Sequence, residues 1–164
     1  MRAAFVFLFI TACAFVSCYS FKDVSIPPEV KTARVNYIEN KASYVNPQLS
    51  PQLTDRLRQK INNQTRLTLI TGEDADYDIY GEVRSYSLST AGVSGQEAAT
   101  NRLTITVHVV FKNRLDEKAN FEADVSRNFD FNAGLSLQQA EAQQFEDILR
   151  NLTDEIFNRI FSNW

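Results

Sequence analysis

RLTITVHVVF, Arg102 to Phe111, is the stretch that decides the fold. Leu103, Ile105, Val107, Val109 and Phe111 fall on one side of an extended chain, and Arg102, Thr104, Thr106 and His108 on the other. Alternation sustained from Arg102 to Val109 is the pattern of a strand buried on one face. Downstream the pattern returns: Phe121, Ala123, Val125, Phe129 and Phe131 alternate with Glu122, Asp124, Ser126, Asn128 and Asp130. The connection, Lys112 to Lys118, is short and polar. Two such runs joined this way predict an antiparallel hairpin.

Beyond the hairpin, Ser136 and Gln139 have the spacing of a capping box, which opens a helix. Phe145, Ile148, Leu149, Leu152, Ile156 and Ile160 give that helix a wide apolar stripe, broadened by Phe157, Phe161 and Trp164. Before the hairpin, Tyr77 to Leu88 reads as a strand, with Ile79, Gly81 and Val83 facing one way and Tyr80, Glu82, Arg84 and Tyr86 the other. The small-residue stretch STAGVSGQEAAT, Ser89 to Thr100, reads as a loop. Leu49, Leu53, Leu57 and Ile61 recur every four residues and predict an amphipathic helix, with start signals at Asn46-Pro47 and Ser50-Pro51. Lys31 to Ile38 reads as a strand on the alternation of Ala33, Val35 and Tyr37 with Thr32, Arg34 and Asn36. Glu39 to Asn46 is a polar loop, Thr65 to Thr71 a short extended stretch and Gly72 to Asp76 an acidic turn.

The order β-α-β-β-β-α predicts a two-layer α+β sandwich, a mixed four-stranded sheet covered on one face by two helices. A helix between the first two strands allows a parallel crossover. The other face of the sheet is then polar and carries Arg34, Glu82, Arg84, Tyr86, Arg102, His108, Glu122 and Asp124.

Composition removes several functions. The chain has 17 Lys and Arg against 20 Asp and Glu, a net charge of −3 and a pI near 5.2. A nucleic-acid binder carries a basic field, so that class is excluded. His108 is the single histidine and has no partner at metal-ligand spacing. There is no Gly-rich phosphate loop. No catalytic residue, metal ligand or cofactor site is expected. His108 is expected to be exposed, and Asp74 and Asp76 to sit in a solvated turn.

The front of the chain, MRAAFVFLFITACAFVSCYSF, has Arg2 followed by an apolar run from Ala3 to Val16. That is a signal peptide's composition, and it is shorter than the roughly 20 residues of a membrane span. Phe15-Val16-Ser17-Cys18 resembles a bacterial lipobox, with Phe15 where Leu is usual. Cys18 is the preferred site of lipidation and Cys13 the competing one; they are the only cysteines. Cleavage before Cys18 leaves one cysteine, with its sulfur lipidated and no disulfide possible. The expected divisions are residues 1–17 as signal peptide, 18–30 as a lipidated lead and 31–164 as one α+β domain.

Six stretches together resemble the LptE lipoproteins of the Bacteroidetes type. They are Cys18-Tyr19-Ser20-Phe21, Ser25-Ile26-Pro27-Pro28, Val45-Asn46-Pro47, the strand from Asn101 to Val107, the turn with Asp116-Glu117-Lys118 and Asn120-Phe121-Glu122, and the ending with Ile156-Phe157-Asn158 and Asn163-Trp164. The resemblance covers nearly all of the mature chain, and its motifs are structural rather than catalytic. It implies a non-enzymatic outer-membrane lipoprotein that plugs and helps assemble an LptD-like β-barrel for lipopolysaccharide transport. It also implies an anchor on the periplasmic side and contact with lipopolysaccharide through basic residues at the sheet. Strand alternation, rather than the family, nominates Arg34, Arg84 and Arg102 for that contact. The plain alternative is that each pairs with Glu82, Glu122 or Asp124 across strands. The Ser89–Thr100 segment is either a surface loop or a stretch that orders against a barrel wall. The alternative function is a lipid-anchored periplasmic adaptor of another envelope complex.

Overall fold

The computed structural model describes residues 26–94 and 97–162, with side chains 93–98 left aside. The expected signal peptide, Cys13, Cys18 and the ending Asn163-Trp164 lie outside the described residues. The elements are β1 (Thr32–Val35), β2 (Glu39–Asn40), α1 (Leu49–Gln64), β3 (Thr68–Leu69), β4 (Tyr77–Ser94), β5 (Glu97–Asn113), a 3-10 turn (Glu117–Ala119), β6 (Phe121–Asn132) and α2 (Leu137–Phe161). They form a two-layer α+β sandwich, the expected class. The sheet runs β3-β1-β4-β5-β6, with β2 set beside β4. β1 is parallel to β3 and β4, and β4, β5 and β6 are an antiparallel meander.

The periodicities that predicted the elements also place the core. Leu49, Leu53, Leu57 and Ile61 of α1 are buried, as are Ile148, Leu149, Leu152 and Ile156 of α2 and Leu103 through Phe111 at odd positions of β5. The helices lie side by side and run in the same direction, since Arg56 meets Glu146 and Lys60 Nζ lies 2.8 Å from Asp154. That is what the topology demands, because each helix returns antiparallel to a strand of the same sense. The capping box forms as expected: Ser136 Oγ accepts from Gln139 N at 3.3 Å, and Gln139 Oε1 accepts from Ser136 N at 3.0 Å.

Five expectations are corrected. First, the sheet has two strands more than predicted. β2 and β3 are two residues each, too short to leave a period. Second, Tyr37 is 55 % exposed and Ile38 takes the core position, because the chain steps between β1 and β2 and turns Ile38 N–H onto Thr54 Oγ1 at 3.0 Å. Third, neither predicted residue is the N-cap of α1, although Asn46 Oδ1 accepts from Gln48 N at 3.0 Å in the turn that leads into it. Gln48 occupies the N-cap, Ser50 lies buried inside the first turn, and Pro51 follows it where no N–H is needed. Fourth, most of Ser89–Thr100 is strand, because β4 and β5 continue as a long hairpin past the end of β6 at Thr100↔Asn132.

The fifth correction concerns Tyr86, which is buried among the helices rather than on the polar face. Val83 pairs with Val107 and Ser85 with Thr106, so Arg84 is an extra residue, a β-bulge. One extra residue reverses which side chains face the core. Tyr86 consequently turns inward, packs at a tilt against Tyr44 with ring centroids 5.0 Å apart, and donates its hydroxyl to buried Glu141 of α2. Tyr44 donates to the same carboxylate at 3.0 Å. Burial, and then the Glu141 carboxylate, push the Tyr86 phenol well above its ordinary pKa.

Candidate functional site

The helices cover one face of the sheet and leave the other to its polar side chains. Register sets these in rows across the strands. Arg34, Asp78 and Lys112 share one row, Glu82, His108 and Asp124 another, and Arg102 and Asp130 a third. Rows of this kind juxtapose opposite charges on neighbouring strands.

Arg34 Nε and Nη2 donate to the two oxygens of Asp78 at 2.9 and 2.5 Å. Tyr80 Oη donates to Asp78 at 2.6 Å and Asn36 Nδ2 at 2.7 Å. Burial pushes the Asp78 carboxyl up, but the hydrogen bonds from Arg34, Tyr80 and Asn36 together outweigh it, so its pKa lies below the ordinary range. The bond to Asp78 raises the Arg34 pKa in return. Lys41 Nζ and Arg84 Nε donate to Glu82 at 2.9 and 2.6 Å and hold its carboxyl down to about 2. Arg84 also reaches Asp124 at 3.5 Å. Arg102 grips Asp130 through two bonds, at 2.6 and 2.8 Å, which lowers the Asp130 pKa.

All three nominated arginines therefore lie on this face, each with a carboxylate. Arg84 meets two of the carboxylates expected of it, Asp124 across strands and Glu82 two residues back on its own strand. The partners of Arg34 and Arg102, Asp78 and Asp130, were not foreseen. His108 is a correction. It is 9 % exposed, with Nδ1 2.7 Å from Asp124 Oδ1 and Nε2 3.4 Å from Glu122. The long charged side chains around it cover the ring. Asp76 is another, for it is buried rather than solvated. Its Oδ2 accepts from Lys31 N, Thr32 N and Thr32 Oγ1 at 2.9, 3.0 and 3.0 Å, and its Oδ1 from Arg114 at 2.8 Å.

A groove of about 620 Å³ crosses this face, lined by Asn36, Tyr37, Lys41, Tyr80, Arg84 and His108 among others. Lys112 stands over the Tyr80 ring at 5.3 Å. Lys41, Tyr37 and Lys112 were missed by sequence reading. Lys41 follows a two-residue strand without periodicity, and Lys112 was assigned to the turn. Among the described residues no group of His, Cys, Asp and Glu could hold a metal ion. The chemistry the face offers is exchange of paired charges and contact with aromatic rings, which suits a polar or anionic group rather than bond cleavage.

The family model for lipopolysaccharide-assembly proteins, LptE, matches residues 30–160. No curated protein matches the chain. Among solved structures, a minor lipoprotein from Acinetobacter baumannii is similar at 16% identity and a TM-score of 0.53, covering 81% of this chain and 94% of that one. A protein from Xanthomonas campestris is similar at 15% identity and a TM-score of 0.53, covering 84% and 87%. At such identities these two show the shared fold.

Proposed function

Because the chain belongs to the LptE family of non-enzymatic lipopolysaccharide-assembly lipoproteins, we propose that it is anchored through Cys18 to the outer membrane and seats in an LptD-like β-barrel. The observation that carries this is the length of the match: residues 30–160 take in every described strand, all of α1 and all but the last residue of α2. The polar sheet face supports it. The interior of a membrane barrel is itself polar, so a plug needs such a surface.

Within that reading Arg84 and Arg102 are the proposed lipopolysaccharide contacts, with Arg34 a weaker third. The side chains of Arg84 and Arg102 are 46% and 41% exposed, that of Arg34 15%. An exposed guanidinium exchanges its carboxylate for a phosphate without unburying charge, and a fork suits both. Arg102→Ala is expected to lower lipopolysaccharide recovered with the protein roughly threefold to tenfold. Asp130→Asn, which frees Arg102, is expected to raise it. Equal recovery from both variants would remove Arg102 from the site.

The decisive experiment is isolation from envelopes in mild detergent, with mass spectrometry of what accompanies the chain. An LptD-like barrel is the expected companion. A different envelope complex would give the adaptor role instead, and free monomer throughout would remove the barrel partnership. Cys18→Ala is expected to abolish lipidation; normal lipidation of that variant would move the anchor to Cys13.

A further inference from the structure

A sheet edge is a row of unpaired backbone N–H and C=O groups, and folded proteins ordinarily shorten it, charge it or cover it. Two edges here follow that rule. β3 is two residues long. β6 carries Glu122, Asp124, Arg127 and Asp130. A third edge does not. β4 is flanked by β1 only from Tyr77 to Ile79, and by β2 only at Glu82 and Val83. Among the described residues it pairs from Ser85 to Thr90 with β5 alone, in unbroken register from Ser85↔Thr106 to Thr90↔Asn101.

This window, SYSLST, has no charge and no proline. Ser87, Leu88, Ser89 and Thr90 are exposed, and Leu88 is 51 % exposed although it points to the helix side. Register breaks bound the window, at Val83/Ser85 and Thr90/Gly92. It is a regular strip about 20 Å long. The Val83 carbonyl accepts from Lys41 N at 2.9 Å and so points away from β5. Backbone groups alternate along a strand, and the extra residue at Arg84 shifts the alternation by one. Tyr86, Leu88 and Thr90 therefore turn their N–H and C=O groups outward.

We propose that the outer edge of β4, Ser85 to Thr90, is a strand-addition site, and that an uncharged extended segment of the barrel protein occupies it. The inference rests on the barrel partnership proposed above. On the helix side the incoming strand meets Leu88, since Tyr44 already lies against the buried Tyr86, and this favours an apolar or β-branched residue there. On the open side it meets Ser87 and Ser89, which favour small polar ones. A second copy of this chain is the poorer occupant. Six paired residues bury on the order of 500 Å², against about 1,200 Å² for a stable pair. The strip is one part of a larger contact, and a barrel around the domain supplies the rest.

The test uses the full chain, isolated from envelopes with its barrel, and hydrogen exchange at the amides of Tyr86, Leu88 and Thr90. In the complex they are expected to exchange at least roughly tenfold more slowly than in the free chain, as new backbone hydrogen bonds require. Leu88→Lys sets a charge on the strip at an exposed position, and is expected to lower barrel recovery roughly tenfold with Tm unchanged. If the barrel is recovered but these amides exchange as in the free chain, the strand-addition site is overturned and the partnership stands. Undiminished recovery with Leu88→Lys does the same. Protection that arises in the free chain at high concentration would assign the edge to a second copy and overturn the proposal. No barrel with the wild-type chain would remove the partnership itself, and the proposed occupant with it.

Discussion

Leu152→Ala is expected to destabilise the domain by about 3–5 kcal/mol and to lower Tm by roughly 10–20 °C. Leu152 is fully buried near the middle of α2, in one cluster with Leu53, Leu57 and Ile61 of α1 and the inner face of β5. Truncation removes the transfer free energy of the lost side-chain carbons and leaves a void as well. α2 is tied on one side to α1 by Arg56–Glu146 and Lys60–Asp154, and on the other to β6 by Arg127–Glu155. These ion pairs are largely exposed and hold the helix only weakly, so how far it settles into the gap sets where in the range the cost falls. Thermal unfolding followed by circular dichroism measures it. A drop of only a few degrees would mean that the helix layer slides and the seam is looser than its burial implies.

Asp76→Ala is expected to cost about 3 kcal/mol at neutral pH. Asp76 is a clip at one end of the sheet. Its carboxylate takes the first backbone N–H groups of the β1 region from Lys31 and Thr32, while Arg114 reaches it from beyond β5. Removing it strands those donors. The hydrogen bond from Lys31 N is the largest influence on its pKa and, with those from Thr32 and Arg114, outweighs the effect of burial and lowers it to about 2. The unfolded value is about 3.9. A carboxyl lowered by folding stabilises the fold fully above its unfolded pKa and loses that contribution as pH falls through the folded one. The wild-type advantage over Asp76→Ala is therefore expected to hold above about pH 5, to shrink as pH drops through about 4, and to be nearly gone at about 2. Denaturant melts of the two chains across that range give the difference directly. A gap that stays constant down to pH 2 would show that the variant loses packing rather than a charged acceptor.

Most of the fold was legible because its long elements carry clean periods. Eight residues of β5, Arg102 to Val109, alternate without interruption, and all five of its odd apolar positions from Leu103 to Phe111 are buried. Four turns of α1 repeat Leu49, Leu53, Leu57 and Ile61, and Ser136 with Gln139 marks where α2 begins. What escaped has a physical reason each time. Two residues, as in β2 or β3, define no period. STAGVSGQEAAT has loop composition, yet most of it is strand because β4 and β5 pair along it. The polar face could be predicted, but its partnerships could not. Whether Arg34 meets Asp78 or Glu82 depends on parallel register between strands 44 residues apart, which no local pattern records. Asp76 looked like one acid among several in a turn, and only the arrival of Lys31, Thr32 and Arg114 makes it an acceptor.

The bulge at Arg84 bears on how chains of this kind should be lined up with one another. Upstream of it, odd-numbered β4 residues such as Ile79 and Val83 are interior; downstream, even-numbered Tyr86 is. β4 is thus two phrases in different frames joined by a spacer. An alignment that slides the whole strand as one ungapped block can be right on only one side of position 84. On the other side it will match interior residues to surface ones, and residues under quite different constraint will look like variants of each other. Where a relative lacks the extra residue, the gap belongs at position 84, even though nothing in the local composition asks for one.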